Sequence, residues 1–272
     1  MSTVIQVSSL SKTFGSRRML REVTFHIGAG ERVALLGPSG AGKSTLLRSH
    51  SGLTVADRGS DVRLHGRTVQ LNGRLHGACR AERCRTGYIF QQFNLVGRLS
   101  VLGNVLLGYL GRIPRWRALL GQFSAEERRK AEEALERVGL SGFGAQRANT
   151  LSGGQMQRVA IARALVQEAD LILADEPIAS LDPHSAREVM ELLQRICAED
   201  GKTLLVSLHQ VDYARRYCQR ALALRDGELL FDGPIAGLGD ASLDALYSKP
   251  GANRASTLSF PNSAPLAIAV GE

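Results

Sequence analysis

Aromatic side chains are scarce here: one tryptophan, five tyrosines and eight phenylalanines, 5% of 272 residues. A core with so few rings must be aliphatic, which suits an α/β fold whose buried parallel strands read as Val/Ile/Leu runs. Long apolar runs are missing too. A membrane-spanning helix needs about 18 apolar residues, and the best candidate, "VAIARALVQEADLILA", is broken by Arg163, Glu168 and Asp170. The N-terminal "MSTVIQVSSLSKTFGSRR" lacks the continuous apolar segment of a secretory signal. A cytosolic or peripheral protein is expected. Cysteine is sparse. Cys79 and Cys84 are close in sequence, but no His/Cys pair at zinc-like spacing accompanies them, so these two, Cys197 and Cys218 are expected as reduced thiols.

What is present is more telling. Hydrophobic residues make up 44% of the chain, enough for a sizeable core. Thirty-four Lys+Arg face 26 Asp+Glu, a net charge of +8. That modest excess fits nucleic acid, anionic lipid or small anions without choosing among them. The arginines at 63, 67, 74, 80, 83 and 85 are expected on a solvated face.

Hydrophobic periodicity divides the chain. Residues 4–8 and 23–27 alternate like strands, "ERVALLG" is a short buried run, and "KSTLLRSHSGL" has helical spacing. Residues 57–87 predict an antiparallel β-section ending near "TGYIFQ". Residues 98–150 change character. In "SAEERRKAEEALERVGL", Ser124 followed by Glu127 predicts a capping box, and Ala131, Ala134, Leu135 and Val138 share one helix face. After 151 the α/β alternation resumes, with helices at 153–167, 183–199 and 210–218 between apolar strands. From about 249 the chain turns to Pro, Gly, Ser, Asn and Ala, a composition expected of a disordered tail. "GYLGRIPRWRALLGQF" holds the sole tryptophan, Trp116. Pro114 marks a helix boundary, and Trp116, Leu119 and Leu120 fit one helix face, expected to pack in the core or against a partner.

Three stretches carry chemistry. "GPSGAGKST" (Gly37, Pro38, Ser39, Gly40, Ala41, Gly42, Lys43, Ser44, Thr45) fits the phosphate-binding loop Gly-x-x-x-x-Gly-Lys-[Ser/Thr]. Its glycines let successive backbone N–H groups converge on phosphate oxygens, the next helix aims its N-terminus at the same anion, Lys43 adds charge, and Ser44 offers a hydroxyl to Mg²⁺. "GAGERV" lacks the third glycine of a dinucleotide loop. "LILADEP" ends a buried strand in Asp175, suited to hold Mg²⁺, and Glu176, suited to act as general base. "LSGGQMQRVAIARAL" places Ser152, Gly153 and Gly154 at a helix start, a second phosphate-sized nest. Two such elements in one chain make sense if two copies pack head to tail around shared nucleotides.

With these motifs the sequence resembles the ATP-binding subunits of ABC transporters over roughly residues 4–235. The phosphate loop, Gln91 in "GYIFQQFNL", "LSGGQ", "LILADE", "SLD" at 180–182 and His209 after "LLVSL" stand in the family's order. The resemblance implies an α/β P-loop NTPase (RecA-like) core in residues 1–248, with an antiparallel β-subdomain and an inserted helical signature subdomain at about 98–165. It implies that Phe14 stacks on adenine, that Gln91 senses Mg²⁺ and the γ-phosphate, and that His209 holds that phosphate. Ser152, Gly153, Gly154 and Gln155 would close on the other protomer's ATP, and Asp182 would lie at the dimer interface.

Within the family, "RTGYIFQQFNLVGRLSVLGNVLLG", "DEPIASLDPHSAREVM" and "SLHQVDYARRYCQRALALRDGELLFDG" resemble the phosphonate importers in particular. The implied assembly is a homodimer on the cytoplasmic face of the inner membrane, joined to a permease dimer and, through it, to a periplasmic phosphonate-binding protein, with ATP and Mg²⁺ and no nucleic acid. Rivals are a soluble ATPase of carbon–phosphorus lyase machinery, which a fused second ATPase domain would favour, and an importer of another anion or of amino acids. A DNA-repair ATPase would need a long coiled-coil insert for which 272 residues leave no room. Two positions depart from the family: Gly103 stands where an acid is usual and weakens the helix there, and Met156 stands where Gln is common.

Overall fold

The computed structural model describes residues 2–248; the segment expected to be a disordered tail lies outside them. The chain opens with β1 (Thr3–Phe14), β2 (Arg17–Gly28), β3 (Arg32–Leu36) and α1 (Lys43–His50). It continues through β4 (Asp61–Leu64), β5 (Arg67–Leu71), β6 (Arg74–Leu75), α2 (Cys79–Cys84) and β7 (Thr86–Ile89). A helical stretch follows: α3 (Val101–Leu106), α4 (Arg115–Leu119), α5 (Ala125–Arg137) and α6 (Gly153–Val166). The alternation then runs β8 (Leu171–Asp175), α7 (Pro183–Glu199), β9 (Thr203–Leu208), α8 (Val211–Tyr217), β10 (Arg220–Arg225), β11 (Glu228–Pro234) and α9 (Asp240–Tyr247).

Two sheets result. One is antiparallel, in the order β2-β1-β4-β5-β6; the other runs β11-β10-β3-β9-β8-β7, parallel except for β11. The parallel strands are covered on both faces, which explains their near-continuous apolar sequence. Alternate residues of one strand enter different cores: Ala34 and Leu36 join the helices, while Val33 and Leu35 join the antiparallel sheet and α1. The mixed α/β architecture agrees with the sequence expectation.

The helical stretch forms where expected. Ser124 caps α5 with the reciprocal Glu127 contact, and Ala131, Ala134, Leu135 and Val138 are all buried. α3 forms despite Gly103, because the Ser100 hydroxyl accepts a hydrogen bond from the Gly103 N–H.

Several expectations need correction. Residues 57–87 are not all antiparallel strand: Cys79–Cys84 is a helix. β7 belongs to the parallel sheet, paired with β8 from Thr86↔Leu171 to Ile89↔Ala174. Gly87 permits this, since a Cβ there would meet the Ala164 methyl at 2.8 Å. Arg83 does not lie on a wholly solvated face; its guanidinium donates to the carbonyls of Ser51 and Gly52. α9 had no counterpart in the sequence reading.

The thiols of Cys197 and Cys218 are buried, and burial pushes both up to about 12. All four cysteines are free, and no cluster of three or more metal-ligating side chains occurs among the described residues.

Of the two alternatives for the Trp116 face, core packing is excluded. Pro114 does start a helix, but Trp116, Leu119 and Leu120 are 60%, 86% and 66% exposed, so the predicted apolar face is not core. As the only tryptophan it dominates the long-wavelength emission. The expected spectrum is red-shifted, like free indole in water, and readily quenched by acrylamide. A blue-shifted, protected band would show that the face is covered in solution.

Candidate functional site

Parallel pairing brings four strand ends to one edge. Leu36 of β3 stands beside Leu208 of β9, Asp175 of β8 beside Ser207, and Ile89 of β7 beside Ala174. The residues that follow therefore share one crevice at the carboxyl ends of the strands, where α/β sheets place ligands.

The phosphate loop leaves β3 at Gly37 and enters α1 at Lys43. Gly37 has φ +150°, and a Cβ there would lie 2.1 Å from the Leu224 carbonyl oxygen, so only glycine fits. The loop is tied down by the Ala41 N–H to the Pro38 carbonyl and by the Gly227 N–H to the Ala41 carbonyl. Ser39, Gly40 and Gly42 complete the turn, and Thr45 lies in the first turn of α1.

Lys43 is 3% exposed. Its ammonium donates to the carbonyls of Gly37 (2.9 Å) and Pro38 (3.2 Å) and lies 3.8 Å from Glu176 Oε1. Burial holds this ammonium below its ordinary value, opposed by the charges of Glu176 and Asp175. Thus a cation sits inside the loop, held by its carbonyls.

Asp175 is also 3% exposed. Its Oδ1 accepts hydrogen bonds from Ser44 Oγ (2.9 Å) and Ser207 Oγ (3.1 Å), and Tyr88 Oη donates to Oδ2 (3.4 Å). Burial, with the Asp175 charge beside it, raises the Tyr88 phenol well above its ordinary value, so it stays protonated. A hydroxyl and a buried carboxylate in contact are hard oxygen donors. They suit Mg²⁺, which is commonly held by one or two carboxylates plus substrate phosphates and water.

Glu176 follows with φ +48°, unusual for a residue with a side chain. Three contacts over-determine it: its N–H donates to Ser207 Oγ (2.8 Å), Oε1 lies 2.6 Å from His209 Nε2, and Lys43 stands nearby. A carboxylate so held is placed to accept a proton at the mouth of the phosphate loop.

The remaining predicted residues are not all gathered here. Phe14 ends β1, half-exposed, with the Lys12 ammonium 5.0 Å from its ring centroid. Gln91 stands just beyond β7, exposed, with no side-chain hydrogen-bond partner among the described residues. Asp182 caps α7, accepting from the N–H groups of His184 and Ser185, both 3.0 Å. Hydrogen bonds from Ser185 hold its carboxyl below the usual range.

Ser152 caps α6 reciprocally with Gln155, while Gly153 and Gly154 pack beside Leu181 and Ser185. Among the described residues no hydrogen bond or ion pair joins Ser152–Gln155 to the phosphate loop of the same chain. α6 instead reaches the segment after Gln91: Arg163 donates to the carbonyls of Asn94 (2.8 Å) and Phe93 (3.4 Å).

Sequence reasoning missed Ser207 and Tyr88 as holders of Asp175. The available signal was a lone hydroxyl in the apolar strand "TLLVSL".

These features define the chain's class: it belongs to the ABC transporter family, whose pattern matches residues 20–179, and its cassette is an ATP-binding one. The phosphonates import ATP-binding proteins are its near relatives. That of Pseudomonas aeruginosa (strain UCBPP-PA14) is 60% identical over 253 residues, covering 92% of this chain and 91% of the relative. That of Stutzerimonas stutzeri is 59% identical, covering 97% and 95%, and that of Escherichia coli (strain K12) 57%, covering 91% and 95%. Among solved structures, a dimeric ATP-binding cassette in a post-hydrolysis state bound to ADP and Pi is 34% identical, with TM-score 0.71 over 85% of this chain and 98% of that one. A nucleotide-free cassette is 25% identical, with TM-score 0.75 over 91% and 96%. Among the described residues no helix is long and apolar enough to cross a membrane.

Proposed function

We propose that this chain is the ATP-hydrolysing subunit of a phosphonate importer, working as a homodimer on the cytoplasmic face of the inner membrane with a separate permease dimer and, through it, a periplasmic phosphonate-binding protein. The observation that carries the ATPase reading is the convergence of Lys43, Ser44, Asp175, Glu176 and His209 on one phosphate loop. Support for phosphonate comes from the names of relatives 57–60% identical over nearly the whole chain. Residues 1–248 act as one cassette, with the helical subdomain at about 98–165.

In this reading Gly37–Thr45 cradles the phosphates, Phe14 meets the adenine, and Ser44 and Asp175 hold Mg²⁺ together with Gln91. The metal supplies charge neutralisation on the phosphate oxygens. Glu176 takes a proton from water, and His209, bonded to Glu176, fixes its carboxylate. Rate enhancement is mainly positioning and preorganised charge. Ser152–Gln155 closes on the partner protomer's ATP, with Asp182 at the interface. That the signature makes no bond to its own phosphate loop supports a two-chain site. Arg163 gives a physical link by which closure of the signature reaches the Gln91 segment and the permease.

Two experiments test this. Reconstituted with its permease and binding protein, the subunit is expected to hydrolyse ATP faster when a phosphonate is offered outside. Stimulation by phosphate or amino acids alone would sink the substrate assignment. Gly153→Glu is expected to abolish hydrolysis while the monomer binds ATP normally. A Cβ there meets the tip of Leu181 at 3.1 Å, with Phe93 Cζ (3.6 Å) and the Ser180 carbonyl oxygen (3.9 Å) at ordinary contact distance, so the fold can adjust. Loss of ATP binding by the monomer would overturn the two-chain site.

A further inference from the structure

Arg17 has no partner among the described residues, yet it stands over the phosphate loop. It opens β2 and lies directly across the β1–β2 hairpin from Phe14. Its Nη2 is 3.5 Å from the position a Cβ on Gly40 would occupy. The neighbouring arginines are engaged: Arg18 pairs with Glu22 (3.2 Å) and Arg21 with Glu228 (3.7 Å). The hairpin that carries Arg17 is firmly seated, since Leu20 is fully buried and the Arg21 N–H donates to the Gly227 carbonyl (2.8 Å). One exposed guanidinium therefore stands, uncompensated, across from an exposed ring and beside Gly40 of the phosphate loop.

We propose that Arg17 is a phosphate-binding residue of the nucleotide site. A planar guanidinium forms forked, charge-assisted hydrogen bonds to phosphate oxygens. Its place on the hairpin lets it reach a phosphate chain lying on Gly40 while Phe14 meets the base. Among the described residues this arginine makes no ion pair. Its position is explained by an anion that arrives. The inference rests on the nucleotide reading of the loop and adds a side chain from a different sheet to it.

The test is equilibrium binding of ATP to the full chain by titration calorimetry, for wild type, Arg17→Gln, Arg17→Lys and Arg18→Gln. Arg17→Gln is expected to weaken ATP binding roughly tenfold to a hundredfold, the scale of a charge-assisted hydrogen bond, and to flatten its salt dependence. Arg17→Lys should restore part of the loss, as a point charge without the fork. Arg18→Gln should bind like wild type. All four should melt at the same temperature, since these side chains are exposed. ATP binding by Arg17→Gln within twofold of wild type overturns the proposal, as does an equal loss in Arg18→Gln, which would reduce the effect to general surface charge. If wild type itself binds no ATP, the nucleotide reading falls and takes this inference with it.

Discussion

Replacing Glu176 with glutamine is expected to slow ATP turnover by about 10² to 10⁴-fold, the contribution of a positioned general base, or about 3–5 kcal/mol of barrier. Binding of ATP should persist. Glutamine has the same shape, so the Ser207 contact to the backbone N–H remains, and the side-chain oxygen still reaches His209. What disappears is the charge. Without it, position 176 can no longer accept a proton from water, and the Lys43 ammonium 3.8 Å away loses a competing anion. Lys43 is then freer to meet phosphate, so ATP affinity should hold or rise, and the ATP-bound dimer should accumulate. Phosphate release and gel filtration in ATP measure both. Turnover at the wild-type rate would remove Glu176 from the role of base.

The second large effect is on stability in acid. His50 ends α1, is fully buried, and lies tilted against Phe25 with ring centroids 5.6 Å apart. Its Nδ1 bonds the Leu46 carbonyl, while Nε2 is buried with no partner. Burial lowers its pKa from 6.5 to about 4, with the Leu46 bond opposing. The folded state therefore holds the imidazole neutral, whereas the unfolded chain protonates it near 6.5. Stability is complete above that value and falls as pH drops from about 6.5 toward 4. The full gap corresponds to about 3 kcal/mol, with about 2 kcal/mol already lost at pH 5. In a chain this size that lowers the melting temperature by several degrees. His50→Leu removes this titration, so its melting temperature should fall less than wild type's between pH 7.5 and pH 5. Equal falls in the two proteins would mean that His50 is not held neutral.

Local rules made much of the fold legible. Ser124 and Glu127 announced α5 because a capping box is contained within four residues. "LILAD" and "TLLVSL" announced buried strands because both faces are covered, leaving no polar alternation. β7 was misassigned because "TGYI" carries no mark of its partner. Its place beside β8 depends on a glycine that lets α6 approach, a contact between segments distant in sequence. The core alternative for the Trp116 face failed for the opposite reason. Helical spacing reveals that apolar residues share a side, but not whether anything packs on that side.

By itself, then, the sequence marked the motifs: the glycine-rich loop, the strand that leads into two acids, and the helix that starts with the signature. Those are short-range patterns, where residue type and spacing act within one turn or one strand. Only the tertiary structure decided how the acids are held and what surrounds the loop. Ser207 grips both Asp175 and the backbone of Glu176, His209 reaches the Glu176 carboxylate, and Arg17 arrives over Gly40 from the antiparallel sheet. Each contact joins residues far apart in the chain, and strand register, which no local pattern encodes, brings them together.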